Sequence, residues 1–211
     1  MTARATSTLV VRGATVWHPG GTAREDLHVS GGRFSAAPAA PDAEVLDARG
    51  GTAVPLVVDT ALARVPQDRR DAYDLTPGNP ATFAVVRGPV RGSRIRSVLV
   101  VRPDDLVGVW VAGHAEARDG VPTRALGRDL TEPTVRSSWV GTWWDRRRGM
   151  AQHLHADGRY AETRGGRANA FTGRYWVRQE RITYLDDQGF WAFGELLDGV
   201  LHHAGFILER A

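Results

Sequence analysis

Tyr184, Asp186 and His203 are the residues whose types and spacing best suit proton chemistry in this chain. A phenol, a carboxylate and an imidazole brought together can accept a proton, return it, and hold a carbonyl oxygen as charge develops on it. Three turns place them relative to one another. Gln179-Glu180 reads as a two-residue turn that sets Val177 opposite Ile182 and Tyr175 opposite Tyr184. Asp187-Gln188-Gly189 reads as a three-residue turn with glycine at the left-handed position, which sets Asp186 opposite Phe190 and Tyr184 near Ala192. Asp198-Gly199 sets Leu196 opposite Leu201 and Gly194 opposite His203.

One face of these four strands then gathers Tyr175, Tyr184, Asp186, Phe190, Ala192, Gly194, His203, Gly205 and Ile207 with several aliphatic residues. The other face carries Arg174, Arg178 and Arg181, so it is the outer one and the first is the interior. Ala192, Gly194 and Gly205 are small and would leave space, with polar side chains around it. The expected catalytic residues are therefore Asp186, His203 and Tyr184. The expected ligand-binding residues are Tyr175, Phe190, Ala192, Gly194 and Gly205, joined by Arg167 and Trp143. A packed core, whose tyrosine and histidine tips bond to one another or to buried water, is the competing reading.

Other groups carry less. His153-x-His155 puts two histidines on one strand face, but no third metal ligand stands nearby in sequence, and an exposed hairpin is favoured. Glu195 falls opposite His202 on the outer face, where a cross-strand ion pair is favoured over a catalytic dyad. Asp145 and Glu162 have no evident acid/base partner. Trp143-Trp144 sends one indole inward and the other outward. Trp176, Trp191, Phe193, Leu185 and Val200 make the outer face apolar, so the N-terminal half or a second subunit is expected to cover it. Gly-rich phosphate loops, nucleophile elbows and H-E-x-x-H pairs are absent from the sequence.

The elements that position these residues are strands. Short apolar runs recur between Gly, Pro and Asp punctuation, and almost nothing has a helix-length 3.6-residue period. The early strands are expected over 9–16, 26–30, 33–36 and 44–47. Others follow over 83–87, 95–102 and 107–112, and a second set, rich in Trp and Tyr, begins at Trp139. The fold class is all-β in two parts, 1–122 and 134–211, joined by a polar linker over 123–133. Bulk composition adds exclusions. No run approaches the roughly 20 apolar residues of a membrane span, and the first residues lack the apolar core of a signal peptide. The chain has no cysteine, which removes disulfides and thiolate chemistry. A bacterial cytoplasm is expected. All 27 basic residues are arginine, scattered except at Asp145-Arg146-Arg147-Arg148, so the pI of 9.9 does not argue for nucleic acid.

Residues 8–60 include Thr-Leu-Val-Val-Arg-Gly-Ala-Thr-Val, Glu-Asp-Leu-His-Val-Ser-Gly-Gly-Arg-Phe and Val-Leu-Asp-Ala-Arg-Gly-Gly-Thr-Ala-Val-Pro-Leu-Val-Val-Asp-Thr. This order of strands resembles the small β-sandwich of the amidohydrolase superfamily (dihydroorotase, imidazolonepropionase and relatives). Residues 75–86, 95–100 and 113–120 resemble the strands that close that sandwich. In the family, a Pro-Gly-(apolar)₂-Asp-x-His-x-His strand then opens a metal-binding barrel. Here Ala61 and Ala63 stand where its histidine ligands would be, and a methyl group cannot bind a metal. Only a handful of residues separate Ala63 from Asp71 where such a barrel needs about 250. The resemblance thus implies a retained sandwich without metal or hydrolase activity.

The C-terminal half resembles a small bacterial family with a streptavidin-like antiparallel barrel. The residues are Asp157-Gly158-Arg159-Tyr160, Arg164-Gly165-Gly166-Arg167, Ala170-Phe171-x-Gly173-Arg174-Tyr175, Tyr184-x-Asp186-Asp187-x-Gly189-Phe190-x-Ala192-x-Gly194 and Asp198-Gly199-x-Leu201-His202-His203-x-Gly205. It implies a barrel and a ligand cavity, and no catalytic residues come with it.

These readings lead to one expected function and two alternatives. The first is a metal-free, cofactor-free cyclase, isomerase or lyase acting on a bulky apolar metabolite in bacterial biosynthesis. Such an enzyme works largely by holding its substrate in a reactive shape. The alternatives are a small-molecule-binding protein without chemistry, and a protein-interaction scaffold. A small-molecule ligand is the expected partner, with no nucleic acid and no membrane, and a homo-oligomer would form through the outer apolar face.

Overall fold

A computed structural model describes residues 8–57, 59–90, 100–123 and 138–211. They fall into two compact units interleaved along the chain. The first takes residues 8–56, 66–90 and 104–123; the second takes 57, 59–65, 100–103 and 138–211.

The first unit is a mixed sheet. Among the described residues its strands are β1 (Leu9–His18), β2 (Gly21–Ser30), β3 (Arg33–Ser35), β4 (Glu44–Asp47), β5 (Gly51–Pro55) and β6 (Phe83–Arg87). After a two-residue β7 (Val100–Val101), which belongs to the second unit, come β8 (Leu106–Val111), β9 (His114–Arg118) and β10 (Val121–Pro122). The order is β10-β9-β8-β6-β5-β1-β2-β3, with β4 also pairing β1. Strand β1 runs parallel to β4 through Leu9–Arg12 and to β5 from Thr15. Between these two pairings lies a bulge at Gly13, whose left-handed backbone (φ 69°) lets its N–H turn to the Asp26 carboxylate at 2.7 Å. Val11, Val16, Val29, Phe34 and Leu75 are buried around Phe83 and Trp110, whose rings stack at 4.7 Å. The expected sandwich is thus one mixed sheet.

The strand expected over 95–102 lies largely outside the described residues, apart from β7, and so does 124–133 of the expected linker. The stretch in which Ala61 and Ala63 stand at the family's ligand positions is not extended. After β5 ends at Pro55 it forms a helical turn, α1 (Asp59–Leu62).

The second unit is a closed antiparallel barrel. Its strands are β11 (Gly141–Asp145), β12 (Met150–Leu154), β13 (Arg159–Arg164), β14 (Arg167–Arg178), β15 (Arg181–Asp186), β16 (Trp191–Leu197), β17 (Val200–His203) and β18 (Phe206–Arg210). Each pairs with the next, and β18 returns to β11 through Trp143–Arg210, so no edge is left open in the ring. The register from Tyr175 to His203 is the one expected from the turns. It breaks one residue later. Ala204 and Gly205, at φ 46° and 81°, form a tight two-residue turn that pairs His203 with Phe206. Phe206 and Leu208 therefore face inward, and Ile207, expected inside, is exposed.

Part of the apolar outer side of the barrel is covered within this unit. β7 pairs with the start of β16, Trp191 against Val101. Helix α1 packs on β16 and β17, with Ala61 against Leu197. Trp191 and Trp176 stack at 5.9 Å, and both are buried. No described helix is long and apolar enough to cross a membrane.

Candidate functional site

Alternation along two neighbouring strands sends Met150, Gln152 and Leu154 of β12, and Tyr160 and Glu162 of β13, into the barrel. Gln152 and Glu162 are directly opposed in the ladder. From the far wall, Tyr184 of β15 and His203 of β17 reach the same place, their rings 4.5 Å apart. The result is a buried polar thread. The Tyr184 hydroxyl donates to Gln152 Oε1 at 2.6 Å, and Gln152 Nε2 donates to Glu162 Oε1 at 3.2 Å. The same oxygen lies 3.4 Å from His203 Nε2, while His203 Nδ1 lies 3.1 Å from the Phe193 carbonyl. Each ring nitrogen faces an oxygen, so both contacts are hydrogen bonds when both nitrogens carry protons. Arg164 Nε and Nη2 hold the other Glu162 oxygen at 2.8 and 2.7 Å.

All four thread side chains are buried. Burial alone would raise the Glu162 carboxyl, but hydrogen bonding and charge from His203, then from Arg164, bring it below its usual range. Tyr184 and Tyr160 are pushed up by burial and then by the charge of Glu162, so they remain neutral phenols. Arg164 sits near the turn end of the barrel, its guanidinium over Phe171 at 4.5 Å and Phe206 at 5.2 Å. Chemically, the thread can pass a proton between carboxylate and imidazole, with a neutral phenol and an amide beside it as hydrogen-bond donors.

Of the three expected catalytic residues, the barrel brings together Tyr184 and His203 and leaves out Asp186. Asp186 ends β15, and its Oδ1 accepts the Gln188 and Phe190 N–H groups at 2.9 and 2.8 Å. It caps its own turn, and the carboxylate partner of His203 is Glu162. The expected ligand-binding residues divide as well. Tyr175 and Trp143 are buried core side chains, bonded to the carbonyls of His155 (2.8 Å) and Trp139 (2.9 Å). Trp143 is the inward indole of its pair. Ala192 and Phe190 are half-buried near the turn end. Gly194 leaves no space: a methyl group there would lie 2.8 Å from Ile182 Cγ2 and 2.9 Å from the His202 carbonyl. Gly205 lies in the turn, its carbonyl accepting Arg148 Nη1 at 2.6 Å. Arg167 is exposed at the start of β14, bonded to the Ala170 carbonyl.

The outer pair also differs from expectation. Glu195 and His202 are opposite in register, yet Glu195 pairs with Arg181 at 3.2 Å and His202 Nδ1 meets Thr60 Oγ1 of α1 at 2.9 Å. Burial, with Arg64 adding repulsion, lowers His202 to about 4, so it is neutral at pH 7. His153 lies between the hydroxyls of Thr142 and Thr163, at 3.0 and 3.2 Å. Among the described residues, no three His, Asp or Glu side chains are grouped so as to hold a metal ion.

Residues 136–210 match a family model described as Agrobacterium tumefaciens protein Atu4866. The solution structure of protein Atu4866 from Agrobacterium tumefaciens is 43% identical over 34% of this chain and 91% of that one, with a TM-score of 0.31. No curated protein matches the chain. Through residues 136–210, the chain belongs to the Atu4866 family.

Proposed function

We propose that the barrel is a cofactor-independent acid–base catalyst of the cyclase, isomerase or lyase type, with Glu162 and His203 as its proton-transfer pair. The observation that carries this reading is the Glu162–His203–Arg164 group set among the apolar core side chains of the barrel. Buried ion pairs rarely stabilise a fold more than apolar side chains of similar size, so their presence in a core asks for another reason. Tyr184 is the nearby group suited to hold a carbonyl oxygen, through a phenol that stays protonated. The interior is filled at Gly194, so the bulk of a substrate would rest at the barrel end, against exposed Phe171 and the half-buried edge of Phe206, and displace Arg164 from them to reach the pair. The filled interior at Gly194 is also what favours the alternative of a protein-interaction scaffold without chemistry.

In the same reading the barrel is of the streptavidin-like kind, and the first unit is the remnant of an amidohydrolase sandwich. The order of strands β1 to β5 supports that derivation.

The test is incubation of the protein with bacterial metabolite extracts in D₂O, followed by mass spectrometry. Wild type is expected to convert at least one metabolite into a deuterium-labelled product, and Glu162→Gln and His203→Gln, folded by circular dichroism, are expected to lose that conversion. Metabolites retained on the protein but unchanged in mass would establish binding alone. Conversion that persists in both variants would remove the pair from the mechanism.

A further inference from the structure

The one arginine run of the chain lies on the turn between β11 and β12, and the acid–base reading does not use it. Arg146, Arg147 and Arg148 line an open groove of about 590 Å³ with Arg64, which follows α1 some 80 positions earlier in sequence. Trp144 of β11 and Ile207 of β18 line the same groove, and Ile207 is one of few large apolar side chains left exposed among the described residues. An exposed Ile beside a half-buried indole provides an apolar wall, and four guanidinium groups surround it.

Two acidic residues also line the groove, and they are not equivalent. Asp145 is buried, and its oxygens take the Arg148 N–H at 3.0 Å and the Ile207 N–H at 3.2 Å. Its carboxylate therefore fixes the turn and the β18 backbone. Glu209 is exposed at the rim. Arg148 is committed to the Gly205 carbonyl and stacks on Phe206 at 4.6 Å. Arg64, Arg146 and Arg147 have no carboxylate partner among the described residues, and Arg146 makes only a distant contact over Trp144. Four positive charges against two negative ones leave the groove cationic. A guanidinium fork matches the paired oxygens of a carboxylate or phosphate, and it stacks on flat apolar groups as well.

We propose that this groove is a binding site for an organic anion: a flat apolar body against Trp144 and Ile207, carrying a carboxylate or phosphate held by Arg64 and Arg147. The site lies on the outer surface of the barrel and stands independently of the Glu162–His203 reading.

The probe is phenyl phosphate, titrated calorimetrically and by the indole N–H signals in the NMR spectrum, beside inorganic phosphate, benzoate and neutral phenol. Phenyl phosphate and benzoate are expected to saturate the Trp144 signal. Inorganic phosphate and phenol, each lacking one half of the recognised group, are expected to bind about tenfold more weakly or not at all. Arg64→Ala and Arg147→Ala alter exposed side chains and should fold normally; each is expected to weaken phenyl phosphate by about tenfold. Glu209→Gln should tighten it. Glu162→Gln should leave binding unchanged, which keeps this site separate from the barrel interior. The proposal is overturned if phenyl phosphate does not saturate, if inorganic phosphate binds equally well, or if both arginine variants bind like wild type.

Discussion

The two units bury very different chemistry. Among the described residues the mixed sheet buries two polar or charged side chains, Thr52 and Glu116, and its centre is the apolar set around Phe83 and Trp110. The barrel buries seven: Asp145, Gln152, Glu162, Thr183, Glu195, His202 and His203. Both are β structures built from the same alternation, so the polar burial is not something a β core requires. Some of it has a plain structural purpose, as when Asp145 holds two backbone N–H groups. Glu162 and His203 do not: neither caps a turn, Glu162 is held by Arg164, Gln152 and His203, and His203 lies between Glu162 and the Phe193 carbonyl. That contrast is why the thread, rather than a pocket, carries the functional reading.

Single deletions separate the two units most strongly. Phe83→Ala in the sheet should cost about 3–5 kcal/mol by loss of apolar contact, at any pH where the protein is folded. Glu162→Ala in the barrel should cost about 3–5 kcal/mol by leaving Arg164, Gln152 and His203 without the buried carboxylate they share, and His203→Ala about 1–3 kcal/mol, because Arg164 still holds Glu162. Urea unfolding followed by tryptophan fluorescence checks both. If the Glu162 variant were neutral, the thread would not be a coupled buried network.

Acid should then act through the barrel. His202 has its protonation lowered to about 4 in the fold against an ordinary value near 6.5, so the unfolded chain binds the extra proton first. The contribution of neutral His202 is complete above about pH 6.5 and is lost as pH falls toward 4, on the order of 2 kcal/mol. Glu162, also held below its usual range, adds a loss at still lower pH. Unfolding curves between pH 4 and 7 should show this slope in wild type, and His202→Asn should flatten it.

Two smaller effects test packing. Gly194→Ala should cost about 1–3 kcal/mol, because its methyl group meets Ile182 and a backbone carbonyl; a neutral result would mean that the interior has slack. Ala204→Gly should stabilise the barrel by about 1 kcal/mol, since alanine at φ 46° is strained and glycine is not.

Much of this was legible before the structure, in a specific sense. Asp198-Gly199 and Asp187-Gln188-Gly189 announce their turns, so every register from Tyr175 to His203 could be written down. Ala204-Gly205 announces nothing, because alanine is a poor left-handed residue, and the face of β18 was inverted as a result. Asp186 has the right parity for an interior residue, but a strand end lies closer to its own turn than to the core, and the turn amides claimed it. Glu162 was within reach: Asp157-Gly158 sets up the β12–β13 hairpin, and carrying the alternation through it puts Gln152 beside Glu162. What sequence could not reveal was non-local. Nothing in residues 57–65 or 100–101 says that they will join the barrel, and only the fold brings Thr60 to His202.

The measurement closest to the central claim replaces the pair as a unit. A double variant, Glu162→Leu with His203→Leu, removes the carboxylate and the imidazole together and leaves Arg164 free to reach water. If the thread serves chemistry, the double variant should be at least as stable as wild type in urea, well above either single deletion, and should have lost all conversion of metabolites. A double variant as unstable as the single ones, or one that still turns over substrate, would show that Glu162 and His203 serve the fold and that the acid–base account is wrong.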